Sequence, residues 1–269
     1  MKFIPSLRLR RYVSATLITV ASGAGLLFFA NQPANTMGIQ ASSVDARRYF
    51  SDPQLAEFVQ AIQQGDLAKV QEGLRAGISP NAPGLGGFTP IFFIFPARNA
   101  DVARALLRAG ANPNARLPDG TPVLQFAVRM ENPEFTRALL EFKADPNAIG
   151  PNEQPVIHEA VYAEAPQNIE LLAKAGANIN KIWGYDTALM SAVDSNSWTA
   201  ATMLLNLGAD TDVRSPGGNA QYTAGESLCN FINRLHPTPT NRKPVLDLFA
   251  AFARRGVQLS CAAEAERFR

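Results

Sequence analysis

The sequence predicts an all-α solenoid of about six helix-turn-helix repeats with β-hairpin-like turns, preceded by an N-terminal hydrophobic helix. Three observations carry that prediction. The phrase Gly110-Ala-Asn-Pro-Asn114 returns as Lys143-Ala-Asp-Pro-Asn147, Gly176-Ala-Asn-Ile-Asn180 and Gly208-Ala-Asp-Thr-Asp212, after a degenerate Gly77-Ile-Ser-Pro-Asn81. The starts at 77, 110, 143, 176 and 208 lie 33, 33, 33 and 32 residues apart. A second phrase keeps the same beat at Thr89-Pro90, Thr121-Pro122, Gln154-Pro155, Thr187-Ala188 and Thr223-Ala224. Leucine pairs beginning at Leu106, Leu139, Leu171 and Leu204 stand just ahead of the glycine slot. Phrases locked to one period mark an internal repeat.

The chemistry of the phrases explains their order. Thr-Pro opens a helix, the hydroxyl capping free N–H groups and the proline presetting φ. Glycine ends the second helix in the left-handed conformation, and the following Asn or Asp ties the local turn. One helix pair cannot bury its own apolar face, so neighbours must stack.

The leader comes first. Residues 1–11 are basic, and Tyr12–Ala30 runs 19 residues without a charge. It reads as a retained membrane anchor or as a cleaved signal sequence. No suitable pair of small residues follows the run at −3 and −1, which favours the anchor. The basic flank should stay cytoplasmic. The repeats then face the periplasm from the inner membrane, or are secreted there after cleavage. Residues 31–51 have the composition of a linker, and Asp52-Pro53 reads as a helix start.

The repeats follow at about 53–85, 86–118, 119–151, 152–184, 185–216 and 217–262, with a tail at 263–269. Leu55, Phe58, Val59 and Ile62 give the first repeat its helical stripe. In the second, Ile91–Phe95 is apolar all round and Pro96 stops the helix, so it is either buried between neighbours or an aromatic binding patch at Phe93. Repeats three and four carry one extra residue, expected between their helices at Asn132-Pro133 and Ala165-Pro166. The sixth is stretched by the loop from His236 to Lys243.

These in-phase phrases resemble the ankyrin repeat family over about residues 52–262. The family's Thr-Pro-Leu-His histidine has no counterpart when the phrases are aligned, the slot holding Phe92, Leu124, Ile157 and Met190 with His158 one place later. The resemblance implies a non-catalytic scaffold that binds another protein through hairpin tips and first helices. Transferred by phase, the partner-binding residues are Phe88, Phe93, Asp119, Gln125, Arg129, His158, Tyr162, Trp183, Tyr185, Ser191 and Tyr222. Two narrower roles are compatible with it, an immunity or inhibitor protein neutralising a toxic enzyme and an envelope accessory factor in oxidant defence.

Catalytic chemistry is sparse. His158 and His236 have no metal-spaced neighbours, and Gly84-Leu-Gly-Gly87 is a repeat turn rather than a phosphate loop. No cofactor, metal, small-molecule substrate or catalytic residue is expected, and a hydrolase in repeat six would lack a nucleophile–base pair. Of 25 basic and 23 acidic residues, four basic and no acidic ones fall in the first thirty, so the rest is slightly acidic and suggests no nucleic acid. Cys229 and Cys261 are the disulfide candidates, a pair on export and two separate thiols in a reducing compartment.

Overall fold

Punctuation residues set where the chain turns, and the helices fill the space between. The computed structural model describes residues 45–214, 223–233 and 235–269. The predicted hydrophobic helix at 12–30, most of the linker and Tyr222 lie outside them. Among the described residues no helix is long and apolar enough to cross a membrane.

Asp52 accepts from the N–H groups of Gln54 and Leu55 and, with Pro53 at the first position, opens α1 (Pro53–Gln64). Gly65, at φ 73°, turns the chain into α2 (Leu67–Arg75). The second repeat departs from expectation, because Pro90–Phe93 forms only a 3-10 turn before α3 (Ala100–Arg108). The third to fifth repeats pair α4 (Val123–Val128) with α5 (Glu134–Glu141), α6 (Val156–Tyr162) with α7 (Pro166–Lys174), and α8 (Ala188–Asp194) with α9 (Trp198–Asn206). In the sixth, Thr223 and Glu226 form a capping box on α10 (Ala224–Ile232), and α11 (Arg242–Arg254) follows the loop. The first helices α4, α6, α8 and α10 pack side by side in one layer, and α2, α3, α5, α7, α9 and α11 in another. One apolar core runs between them from Ala46 to Phe268.

The helix caps correct the expected place of the extra residue. In repeats three and four the cap is Pro122 or Pro155, one residue beyond the Thr or Gln; elsewhere it is Thr89, Thr187 or Thr223 itself. Counted from the cap, the glycine slot comes 21 residues on in all four central repeats: 89 to 110, 122 to 143, 155 to 176 and 187 to 208. No residue is inserted between the helices; the length differences lie in the hairpins. His158 is therefore in phase with Phe92, Gln125 and Met190, in the histidine slot that the Thr-Pro alignment missed.

Among the described residues the hairpins make isolated bridges, at Arg116–Pro122, Ile149–Pro155 and Trp183–Asp186. Their bases are tied by asparagines. Asn81 Nδ2 donates to Gly110 O at 2.7 Å while its Oδ1 accepts from Asn112 N at 2.8 Å. Asn114 repeats this with Lys143 O and Asp145 N, and Asn147 with Gly176 O and Asn178 N. Asn180 accepts from Asp210 N. Each asparagine thus clamps its own repeat to the next. Lys143 holds φ 70° where Gly77, Gly110, Gly176 and Gly208 hold about the same left-handed turn.

Both ends extend further than expected. A turn at Ala46–Arg48 brings Tyr49 and Phe50 onto the first repeats, and Tyr49 O accepts from Leu85 N at 2.7 Å. At the other end Ala262–Phe268 is a 3-10 segment packed on α11, with Phe268 buried, rather than a free tail. Cys229 and Cys261 are joined by a disulfide, Cα atoms 5.2 Å apart, which staples that segment to α10.

Candidate interaction surface on repeats three to five

Measured from the helix cap, the polar positions of the first helices form a seam. The residue seven places after one cap bonds the residue four places after the next. Arg129 Nη1 lies 3.1 Å from Glu159 Oε1. Tyr162 is hydrogen-bonded to the Ser191 side chain. Ser227 Oγ is hydrogen-bonded to Asp194 Oδ1. In the second repeat the equivalent positions are Pro96 and Phe126, and the seam becomes aromatic there.

Burial sets the electrostatics of the seam. Desolvation raises the Glu159 carboxyl above its ordinary range, with the Arg129 charge opposing it. Desolvation also raises the Tyr162 phenol, helped by the carboxylates of Asp186, Asp194 and Glu159. His158 is fully buried, and burial lowers its pKa against the hydrogen bond to Lys181 O. That carbonyl can only accept, so Nε2 at 3.0 Å carries the ring proton. Nδ1, 3.2 Å from Ser191 Oγ, then accepts from the hydroxyl, and Ser191 also meets the Tyr162 phenol. The Ser191–His158 pair has the reach of a nucleophile and base, yet both side chains are buried and the far ring nitrogen is committed to backbone. It is a structural chain.

Trp183 covers this network. Its ring meets His158 edge-on at 5.8 Å and Tyr162 at 6.4 Å, and its Nε1–H donates to Asn152 O at 2.8 Å. The bond spans two hairpin tips. Asn152 and Glu153 both hold positive φ, 57° and 59°, whereas the tip of the second repeat uses Gly86 and Gly87 for this. Two adjacent non-glycine residues in that region carry strain, of order about 1–3 kcal/mol each, which the Trp183 bond helps to offset. Beside them Tyr185 stands 62 % exposed.

The structure therefore sorts the expected binding residues. Trp183, Tyr162 and His158 come together, with Ser191 behind them. Arg129 lies in the same row but is already paired with Glu159. Asp119 is an exposed tip residue whose Oδ1 accepts from Thr121 N at 2.9 Å. Gln125 is half-buried against Gly150. Phe88 and Phe93 are corrected: Phe93 is 4 % exposed, and both pack edge-on against Tyr49, with Phe50 also on Phe93. The aromatic patch of the second repeat is core, because the Tyr49-Phe50 segment covers it. His158 and Ser191 are likewise buried and support the surface without forming it. Glu159, Asp186 and Asp194 were missed; aligning on helix caps would have placed Glu159 and Asp194 in the seam. Among the described residues no cluster of His, Cys, Asp and Glu could hold a metal ion.

Comparison with known proteins agrees with this architecture. A family model described as ankyrin repeats, in three copies, matches residues 91–182. The crystal structure of the ankyrin repeat domain of Bcl-3, described as a unique member of the IkappaB protein family, is similar with a TM-score of 0.61. The match covers 78 % of this chain and 90 % of that one at 24 % identity, a likeness of fold. No curated protein matches the chain.

Proposed function

Since residues 91–182 match a family model of ankyrin repeats, which are generally protein-interaction scaffolds, we propose that the chain is a non-catalytic scaffold binding one protein partner through the tips and first helices of repeats three to five. The observation that carries this reading is the Trp183–Tyr162–His158 cluster with Tyr185 exposed beside it. Half-buried aromatics on a rigid, internally bonded base are the residue types and setting that anchor interfaces. Conversely, the buried His158–Ser191 pair offers no open nucleophile.

The scaffold stands outside the cytoplasm, tethered by residues 12–30. The uncharged 19-residue run behind a basic flank and the Cys229–Cys261 disulfide both favour this reading, since disulfides persist in oxidising compartments.

A photo-crosslinking amino acid placed at Tyr185 in the full chain, in its native cells, tests the scaffold reading. One dominant crosslinked protein is expected, and it should vanish when the crosslinker is moved to the second-helix layer at Lys174. Identical patterns from both positions would remove the assignment. Mass spectrometry of the membrane-extracted chain tests the tether: a mature N-terminus near residue 25–35 would sink it.

A further inference from the structure

The asparagine clamps tie the bases of the hairpins, and a second row of bonds ties their tips. Arg116 Nη1 donates to Gly120 O of its own hairpin at 2.7 Å and to Ile149 O of the next at 2.6 Å. One repeat further on, Trp183 Nε1 donates back to Asn152 O at 2.8 Å. The tips of repeats three, four and five are thereby joined in series, and tip four is held from both sides. Tip four is also the one that needs holding. Gln154 N donates to Pro151 O at 3.3 Å across a turn whose central residues, Asn152 and Glu153, both have positive φ. Such a turn favours Asn followed by Gly, so Glu153 stands where glycine would fit without strain. The indole that reaches this tip is itself fixed, edge-on to His158 and Tyr162.

Resting on the scaffold reading, we propose that Arg116 and Trp183 are positioning residues that lace these three tips into one platform, so that the partner meets surfaces already set in relation to one another. Pre-organisation of this kind removes the cost of ordering loops on binding. The platform has a signature that three separately held hairpins lack. Opening of tip four releases both laces, so a change at Arg116 is felt at residues 183–186 and a change at Trp183 at residues 117–121. Coupling through a shared element runs in both directions, so both effects should appear.

The test is amide exchange of the full chain in detergent micelles, read by mass spectrometry. Arg116→Met should speed exchange at residues 150–154 about fivefold, the factor that one net hydrogen bond represents, and raise it at 183–186 as well. Trp183→Phe should do the same at 150–154 and at 117–121. Arg116 is exposed and the phenylalanine keeps a ring over His158, so both variants should stay folded. Glu153→Gly added to Trp183→Phe should slow 150–154 again, because glycine accepts the left-handed turn unaided. Lost packing of the indole would not be rescued in this way. Exchange that rises only in the substituted hairpin, or an absence of rescue by glycine, would overturn the proposal. In Arg116→Met the crosslink from position 185 to the dominant partner should also weaken, although the substitution lies two hairpins away, and an unchanged crosslink would overturn the positioning role. A wild-type chain without a dominant crosslink fails the scaffold reading alone, since the exchange experiment involves no partner.

Discussion

Arg129 and Glu159 form an ion pair across two repeats, Nη1 to Oε1 at 3.1 Å, with the carboxylate side chain only 6 % exposed and the guanidinium 23 %. Removing one partner of such a pair leaves an uncompensated charge in low dielectric. Arg129→Ala should therefore destabilise by about 2–4 kcal/mol, the lower end reflecting partial exposure of the arginine. Glu159→Gln, which keeps a hydrogen-bonding group and removes the charge, should cost less. Urea unfolding of the two variants checks this, and equal midpoints would contradict the pair's role.

His158 gives the stability a pH dependence of known sign. Burial holds its folded pKa below the ordinary 6.5, so the unfolded chain binds the proton first as pH falls. Stability should drop as pH is lowered through 6.5 toward the depressed folded value, and be fully present above 6.5. The groups facing the ring are Ser191, Trp183 and the Lys181 carbonyl, with Tyr162 behind Ser191. His158→Gln should flatten that slope. The losses from Glu134 and Glu226, whose carboxyls are lowered by Arg104 and by the Thr223 backbone N–H respectively, belong below 4.5 and should persist in the variant.

The asparagine clamps can be dissected by charge. Asn147→Asp keeps the oxygen that accepts from Asn178 N but loses the donor to Gly176 O; Asn147→Ala loses both. Each net hydrogen bond is worth about 1 kcal/mol, so the alanine variant should lose about 2 kcal/mol and the aspartate variant about half of that. Thermal unfolding measures both. Wild-type stability in Asn147→Ala would show that water replaces the clamp fully.

Tyr185, Trp183 and Leu139 should separate surface from core. Leu139 is fully buried in α5, and truncation to alanine should cost about 2–5 kcal/mol. Tyr185→Ala should leave unfolding within about 0.5 kcal/mol of wild type, as surface substitutions do. Trp183→Phe keeps a ring over His158 but releases Asn152, and should cost about 1 kcal/mol and speed amide exchange at residues 150–154. Unchanged exchange there would mean the strained tip holds itself.

The disulfide predicts an order of opening. Alkylation without reductant should label neither Cys229 nor Cys261 in the native chain. With both changed to serine, amide exchange should rise first at 223–233 and 235–269, since a terminal repeat has a neighbour on one side only. Uniform loosening of the whole stack would contradict this.

Much of this was legible because repetition multiplies weak signals. The Gly-Ala-Asn-Pro-Asn phrase located every turn and the leucine pairs located the buried second helices. What the sequence hid was register at one residue's resolution. Thr121-Pro122 and Thr187-Ala188 look equivalent as words, yet Pro122 caps α4 and Thr187 caps α8, so residues assigned by phrase slipped relative to residues assigned by helix. That slip put Ser191 beside His158 as one slot when they are neighbours in two, and left Glu159 unnoticed. Phe93 failed for another reason: the residues that cover it, Tyr49 and Phe50, precede the first recognisable repeat and read as linker.

The asparagine clamps also give the stack a frame. Asn114 and Asn147 make interchangeable bonds to the repeat that follows, to Lys143 and Asp145 in one case and to Gly176 and Asn178 in the other. A chain shortened by residues 115–147 would bring Asn114 against Gly176 and Asn178, with every later helix still in step. A cut inside a helix pair would leave a clamp facing the wrong residue, whereas the one-residue difference between spacings of 33 and 32 is absorbed in a hairpin with the Asn180 clamp intact. Gains and losses within the helix pairs of this protein are therefore quantised: whole repeats can come and go, and fractions of a helix pair cannot.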